Sequence, residues 1–142
     1  MTPIEDVILF QIDLTSKLSK QWAQADFDRL GLGITVEQWV VLKIISEHSG
    51  ISQKELADKS FRDPASITRT LDLLEKKQLL RREPIEGNRR KYKLLLTETG
   101  IGFIRKHTPF VQSQRNQSTA GISTKELEQL SATLLKIRQN MK

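Results

Sequence analysis

Apolar residues along this chain recur with a helical period over most of its 142 positions and switch to alternation only once. Across residues 4–30, Val7, Leu14, Leu18, Trp22 and Ala25 fall at helical spacing, with Glu5, Asp13, Lys17 and Asp28 elsewhere. That pattern predicts an amphipathic helix ended by Gly31 and Gly33. TVEQ at 35–38 is a capping box, with Thr35 as N-cap and Gln38 three residues on. The helix it opens, to about His48, carries Trp39, Val40, Leu42, Ile44 and Ile45 and is apolar almost all round, which predicts burial. SQKE at 52–55 is a second capping box, opening a short helix with Leu56 and Ala57 inward and Ile51 stapling its entry. Residues 60–62 read as a turn. Asp63-Pro64 then starts a helix to about Lys77, with Asp63 as N-cap and Pro64 where a missing N–H costs nothing. Ile67, Leu71 and Leu74 form its inward stripe, and Ser66, Thr68, Arg69 and Asp72 fall largely off it.

The one alternating stretch is LLRREPIEGNRRKYKLLLT. Gly87-Asn88 reads as the tip of a hairpin between two strands, with partial alternation over Tyr92, Leu94 and Leu96. Thr97 caps a further helix containing Ile101, Phe103 and Ile104, which Pro109 is expected to kink or interrupt. Residues 112–121 are polar and read as a fraying helix end followed by a loop. STKE at 123–126 is a third capping box. The last helix places Leu127, Leu130, Leu134, Ile137 and Met141 at alternating three- and four-residue steps, a heptad seam. Such a seam must pack on something. The core of this chain and a second copy are both open, and an unbroken Leu/Ile heptad favours the second copy.

Composition narrows the classes. With 37% hydrophobic and 28% charged residues, the chain can build a core and stay in water. No apolar run approaches the roughly 18 residues a membrane span needs, and the N-terminus lacks a signal-peptide pattern. Cysteine is absent, which excludes disulfides and thiolate sites and fits a cytoplasmic location. His48 and His107 lie far apart without ligand-spaced partners, so neither a metal site nor a cofactor is expected. There is no glycine-rich phosphate loop and no histidine near a plausible nucleophile, so the chain is not read as an enzyme.

The net charge of +6 is unevenly placed: residues 51–93 hold 12 Lys/Arg against 7 Asp/Glu, while the rest is almost balanced. A concentrated basic segment attracts phosphate backbones. Its elements run helix, turn, helix, hairpin, the order of a winged helix-turn-helix. A B-DNA major groove admits one α-helix, whose N-terminal residues reach base edges. Here that end is DPASITRT, with small Ser66 and Thr68 beside Arg69, and with unpaired N–H groups that suit phosphate. Arg89, Arg90 and Lys91, next to the hairpin tip, have an adjacent minor groove to enter. For Arg81 and Arg82, at the start of a strand, phosphate contact and solvated surface are equally open.

TVEQWVVLKII, SQKELADKS, DPASITRTLDLLEKKQLLRR and NRRKYKLLLTETG together resemble the MarR-type winged-helix transcription regulators, over about residues 35–100. The resemblance implies a mostly α fold with a small β wing. Residues 1–34 and 101–142 would supply dimerisation helices around a DNA-binding domain at 35–100, all within one compact chain. It further implies a homodimer on a pseudo-palindromic double-stranded site, with the helix at 63–77 in the major groove and Arg89 in the minor groove. The DNA-facing candidates are then Ser52, Gln53, Arg62, Pro64, Ala65, Ser66, Thr68, Arg69, Asn88, Arg89, Arg90 and Lys91. The dimer candidates are Val7, Leu14, Leu127, Leu130, Leu134, Ile137 and Met141. Many such regulators are repressors released by small aromatic or phenolic ligands, a property the resemblance does not carry to particular residues. The alternative is a winged-helix protein-interaction module without ligand sensing. Two positions depart from the family pattern: Asn88 stands where an Asp is usual, and Gln78 where a Gly usually follows the recognition helix.

Overall fold

In the computed structural model, which describes residues 1–142 apart from the side chain of Arg89, side-chain caps set the start of every α-helix after the first. The helices are α1 (Ile8–Arg29), α2 (Val36–Glu47), α3 (Gln53–Ser60), α4 (Pro64–Lys76), α5 (Glu98–Ser118) and α6 (Thr124–Asn140); the strands are β1 (Leu80–Ile85) and β2 (Asn88–Leu96). At Thr35 the capping box is complete: Thr35 Oγ1 accepts from the Gln38 N–H, and Gln38 Oε1 accepts from the Thr35 N–H. Ser52, Asp63, Thr97 and Ser123 each accept from the backbone N–H three residues on.

The N-terminal helix differs from the expectation. Residues Ile4–Asp6 form a separate 3₁₀ turn, closed by i→i+3 bonds from Asp6 to Pro3 and Val7 to Ile4, and extended Val7 divides it from α1. Among the described residues of α1, Phe27 alone is fully buried; it packs edge-on against Trp39 of α2, with ring centroids 6.4 Å apart. Gln24 Oε1 accepts from the Val36 N–H at 2.8 Å and joins the end of α1 to the start of α2. Helix α2 buries Trp39, Val41, Leu42 and Ile45 but leaves Val40 exposed, so the expected burial all round is wrong by one face.

Helix α4 buries Ile67, Leu71 and Leu74 completely. Its end is a Schellman motif: Leu79 N–H bonds the Leu74 carbonyl at 3.0 Å and Gln78 N–H bonds the Glu75 carbonyl at 2.9 Å. That motif needs a left-handed residue, and Gln78 supplies it at φ 63. The chain then enters the antiparallel β1–β2 ribbon. Leu94 N–H bonds the Ile51 carbonyl and Gly50 N–H bonds the Leu94 carbonyl, so the segment between α2 and α3 lies along β2. Helix α5 begins against this junction. Thr97 donates its hydroxyl to the Gln78 carbonyl at 2.6 Å.

Two further expectations are corrected. The two-residue turn of the hairpin is Glu86-Gly87, with Gly87 at φ 80, while Asn88 already opens β2 opposite Ile85. Helix α5 runs past Pro109 to Ser118, so residues 112–118 are helical rather than fraying. Proline forfeits one ladder bond, but Val111 and Gln114 beyond it are buried, and burial outweighs a single lost bond. The chain divides into two compact units, Met1–His107 and Thr108–Lys142, with the boundary inside α5. The first holds the winged helix-turn-helix; the second holds the end of α5, a turn and α6.

Candidate nucleic-acid interface

Helices α3 and α4 form the helix-turn-helix, and polar side chains stitch them together at the surface. Gln53 Nε2 donates to Thr68 Oγ1 at 3.0 Å, and Thr68 in turn donates to the Pro64 carbonyl at 2.9 Å. Ser66 accepts from Arg62 Nη2, whose guanidinium also lies 3.6 Å from Glu37. Arg62 is thus largely inside, at 22% side-chain exposure, bracing the first turn of α4 against α2. Its Nη1 is buried with no hydrogen-bond partner among the described residues. Ser52 is occupied as the α3 cap. Pro64, Ala65 and Arg69 are exposed on α4, and Arg69 has no hydrogen-bond or ion-pair partner among the described residues. The first turns of α4 therefore offer one unpaired cation on a low surface of small residues, with Thr68, Ser66 and Gln53 held in place behind it.

The hairpin carries the other candidates. Pro84 pairs with Tyr92 but Ile85 pairs with Asn88, so Arg89, Arg90 and Lys91 fall between successive partners as a bulge in β2. Proline has no N–H to give the ladder, which suits the point where the pairing slips. The three cations thus stand together because they lie outside the ladder. Asn88 Oδ1 accepts from the Arg90 N–H at 3.0 Å and braces the bulge from within. Arg90 and Lys91 are exposed; the side chain of Arg89 lies outside the described residues.

Below the bulge the charges are paired. Arg82 is only 17% exposed and is bound by Asp72 and Glu75 of α4. Burial works against its charge, but the hydrogen bond to Asp72 and the charges of Glu75 and Asp72 outweigh it, so the guanidinium is held above its ordinary value. Arg82 is therefore a strut between wing and helix. Glu83 pairs with Arg81 at 3.1 Å and Lys93 at 3.5 Å. Among the described residues of the wing, the exposed cations without a carboxylate partner are Arg90 and Lys91, at its tip.

Of the dimer candidates, Leu14, Leu130 and Met141 are exposed, and Val7, Leu127, Leu134 and Ile137 are half-buried. Ile4, Ile8, Leu9, Leu18 and Trp22 are also exposed near the N-terminus. The structure adds three features that the pattern did not single out. Trp39 Nε1, inside an aromatic group with Phe27 and Phe103, is buried with no hydrogen-bond partner among the described residues. An open cavity of about 310 Å³ is lined by Ile45, Ser46, Ser49, Leu96, Ile101 and Ile104. Phe61, in the turn before α4, is almost wholly exposed; its one sequence signal was an aromatic residue in a polar turn. Among the described residues no cluster of His, Cys, Asp and Glu could hold a metal, and no helix is long and apolar enough to cross a membrane.

A helix-turn-helix followed by a basic two-stranded ribbon, with a helix before and after, defines the winged helix-turn-helix class. Within it, the sequence profile of the MarR family matches residues 34–92. The whole chain is similar to S. aureus MepR in a DNA complex, with 25% identity over 97% of this chain and 99% of that one and a TM-score of 0.83. It is also similar to a MarR/EmrR family transcriptional regulator from an Acinetobacter species, at 22% identity, 99% and 98% coverage and a TM-score of 0.89. A Cys-to-Ser mutant of E. coli MarR complexed with operator DNA matches at 24% identity, 89% and 90% coverage and a TM-score of 0.79. The fold is the one these solved transcriptional regulators share.

Proposed function

We propose that the protein is a homodimeric, sequence-specific transcriptional repressor of the cytoplasm whose hold on DNA is relieved by a small aromatic ligand. The observation that carries the DNA reading is the presence of two basic features on one scaffold. Arg69 stands unpaired on the small-residue face of α4, and the Arg89–Arg90–Lys91 bulge stands out of the ladder, while the other wing arginines are neutralised by carboxylates. Residues Ser52, Gln53, Ser66 and Thr68 then position the helix rather than lead the contact, and Arg62 acts from behind it. That solved relatives were captured with DNA supports the same reading. Exposed Leu14 and Leu18 on α1, and Leu130 and Met141 at α6, support a second copy as the cover for these apolar side chains. Two such copies would set their α4 helices about 34 Å apart, one turn of DNA.

Ligand relief is supported by the donor left over at Trp39 and by the cavity beside Ile45, which is at the small end of ligand-pocket volumes. A ligand preferring one of two dimer geometries would shift the population that fits DNA. Selection of bound sequences from random duplex DNA tests the whole proposal. Recovery of a palindrome with half-sites one turn apart is expected. Arg89→Ala should then weaken binding and lower the salt slope by about one phosphate contact. Binding without sequence enrichment or salt dependence would leave the interaction-module reading in its place.

A further inference from the structure

We propose that Phe61 is a specificity-determining residue that reads thymine through its C5-methyl group in the major groove, an inference that rests on the DNA-binding reading above. Phe61 closes α3 in the left-handed region, at φ 50 and ψ 46. Its N–H bonds the Asp58 carbonyl at 3.3 Å and the Arg62 N–H bonds the Ala57 carbonyl at 3.1 Å, the two bonds of a Schellman motif. Glycine suits that position, because a Cβ there crowds the backbone. An aromatic side chain is doubly disfavoured in the free protein, since its ring is also 97% exposed and touches little of its own chain. Local strain kept at a surface site is a sign of function.

The place of the residue decides the function. Phe61 lies two residues before Asp63, the N-cap of α4, so it projects from the turn that leads into the first exposed residues of that helix. In a docked helix-turn-helix this end of the second helix meets base edges. The ring borders an open depression of about 390 Å³ lined also by Ala57, Asp58, Arg62 and Asp63. Two acidic residues, Asp58 and Asp63, line that space, and the Arg62 guanidinium is engaged by Glu37 and Ser66. A phosphate is therefore unwelcome there. Among base edges in the major groove, thymine presents the one apolar group, its methyl, and phenylalanine is a suitable partner for it.

The test uses the intact protein and the duplex that it selects from a random pool. Each thymine of a half-site is replaced in turn by deoxyuridine, which keeps the pairing and removes only the methyl. The unaltered protein should lose about fourfold in affinity at one position per half-site, the worth of one buried methyl-sized group. Phe61→Gly should bind thymine and uracil sites alike at that position, with a thermal midpoint no lower than that of the parent, because glycine relieves the left-handed strain. Arg69→Ala should weaken both sites by the same factor and keep the thymine preference. Equal affinity of the parent for thymine and uracil sites, or a preference that survives Phe61→Gly, overturns the proposal and leaves the DNA reading standing. A Phe61→Gly protein that keeps the preference but loses self-association would assign the ring to a protein contact instead. Failure of the parent to enrich any sequence removes both readings together.

Discussion

Arg82 of the first wing strand is ion-paired with Asp72, on the solvent side of the helix that enters the proposed groove, and with Glu75 one turn along. The arginine is mostly buried and its partners are half in water, so the pairing is worth more than an open surface bridge and less than a dry one. Arg82→Ala should lower unfolding stability by about 1 kcal/mol, read from urea midpoints. The loss should shrink in high salt. A variant of parental stability would mean that the ribbon is held to α4 by the Leu80 and Leu94 core alone.

Gln78 stands at φ 63 at the end of α4, in a motif that favours glycine. Replacing it removes crowding from the folded state but frees the unfolded chain. The first effect is the larger, so Gln78→Gly should stabilise by about 0.5–1 kcal/mol. Differential scanning calorimetry would show it as a raised midpoint, and a lowered one would mean that the glutamine side chain makes a compensating contact.

Gly100, in the first turn of α5, has no room for a side chain: a Cβ there would stand 2.0 Å from the Leu79 carbonyl oxygen. Both partners are backbone, and Thr97 fixes the approach by bonding the Gln78 carbonyl. Gly100→Ala must push α5 away from the α4–β1 junction, at a cost of about 2–3 kcal/mol. Solution NMR should place the largest shift changes at Gln78, Leu79 and Thr97. Changes confined to Gly100 itself would show that the junction has slack.

His107 packs against Phe103 with ring centroids 4.5 Å apart, and burial, with a smaller contribution from Lys106, holds its pKa below the ordinary 6.5. In the unfolded chain the imidazole takes its proton near the ordinary value; in the folded chain it does so only at lower pH. Between the two, the unfolded state binds more protons, so stability falls as pH drops through this window and levels off below the folded value. His107→Gln should flatten the thermal midpoint between about pH 7 and pH 5. A slope unchanged by the substitution would assign the pH dependence to other groups.

The helix starts were legible because capping is local: Thr35, Ser52, Asp63, Thr97 and Ser123 each needed only a backbone donor three residues away. The class of fold was equally legible, since Ile67, Leu71 and Leu74 announce one buried face and Leu94 the next. What escaped was set by distance. The choice between phosphate and solvent for Arg82 was decided by Asp72, ten residues earlier on a neighbouring element. Arg62 is a DNA-facing candidate by resemblance alone, and nothing nearby in sequence reveals its pairing with Glu37. The hairpin tip was misplaced by one residue because Gly87 and Asn88 both suit a turn, and the register was settled by Pro84 and Tyr92 across the ribbon. Pro109 was given too much weight as a breaker, because the burial of Val111 beyond it is a tertiary fact.

Asn88 takes the place where the family pattern has Asp, and its Oδ1 already accepts from the Arg90 N–H across the base of the bulge. Asn88→Ala removes that brace, and the tip should become more mobile, seen as lower order parameters for residues 86–91 in NMR relaxation. Asn88→Asp keeps the oxygen and adds charge, so the same bond becomes charge-assisted and the neighbouring cations are drawn in; its tip should be stiffer than the parent. The two substitutions should part on DNA as well. Asn88→Ala should cost a few-fold in affinity, about 0.5–1 kcal/mol, because more ordering is left to binding. Asn88→Asp has a stiffer wing but a less positive one, so its affinity should fall mainly at low salt, where the lost attraction counts most. A tip equally mobile in all three proteins would show that the β1–β2 ladder alone holds the wing, and that the asparagine oxygen adds nothing to it.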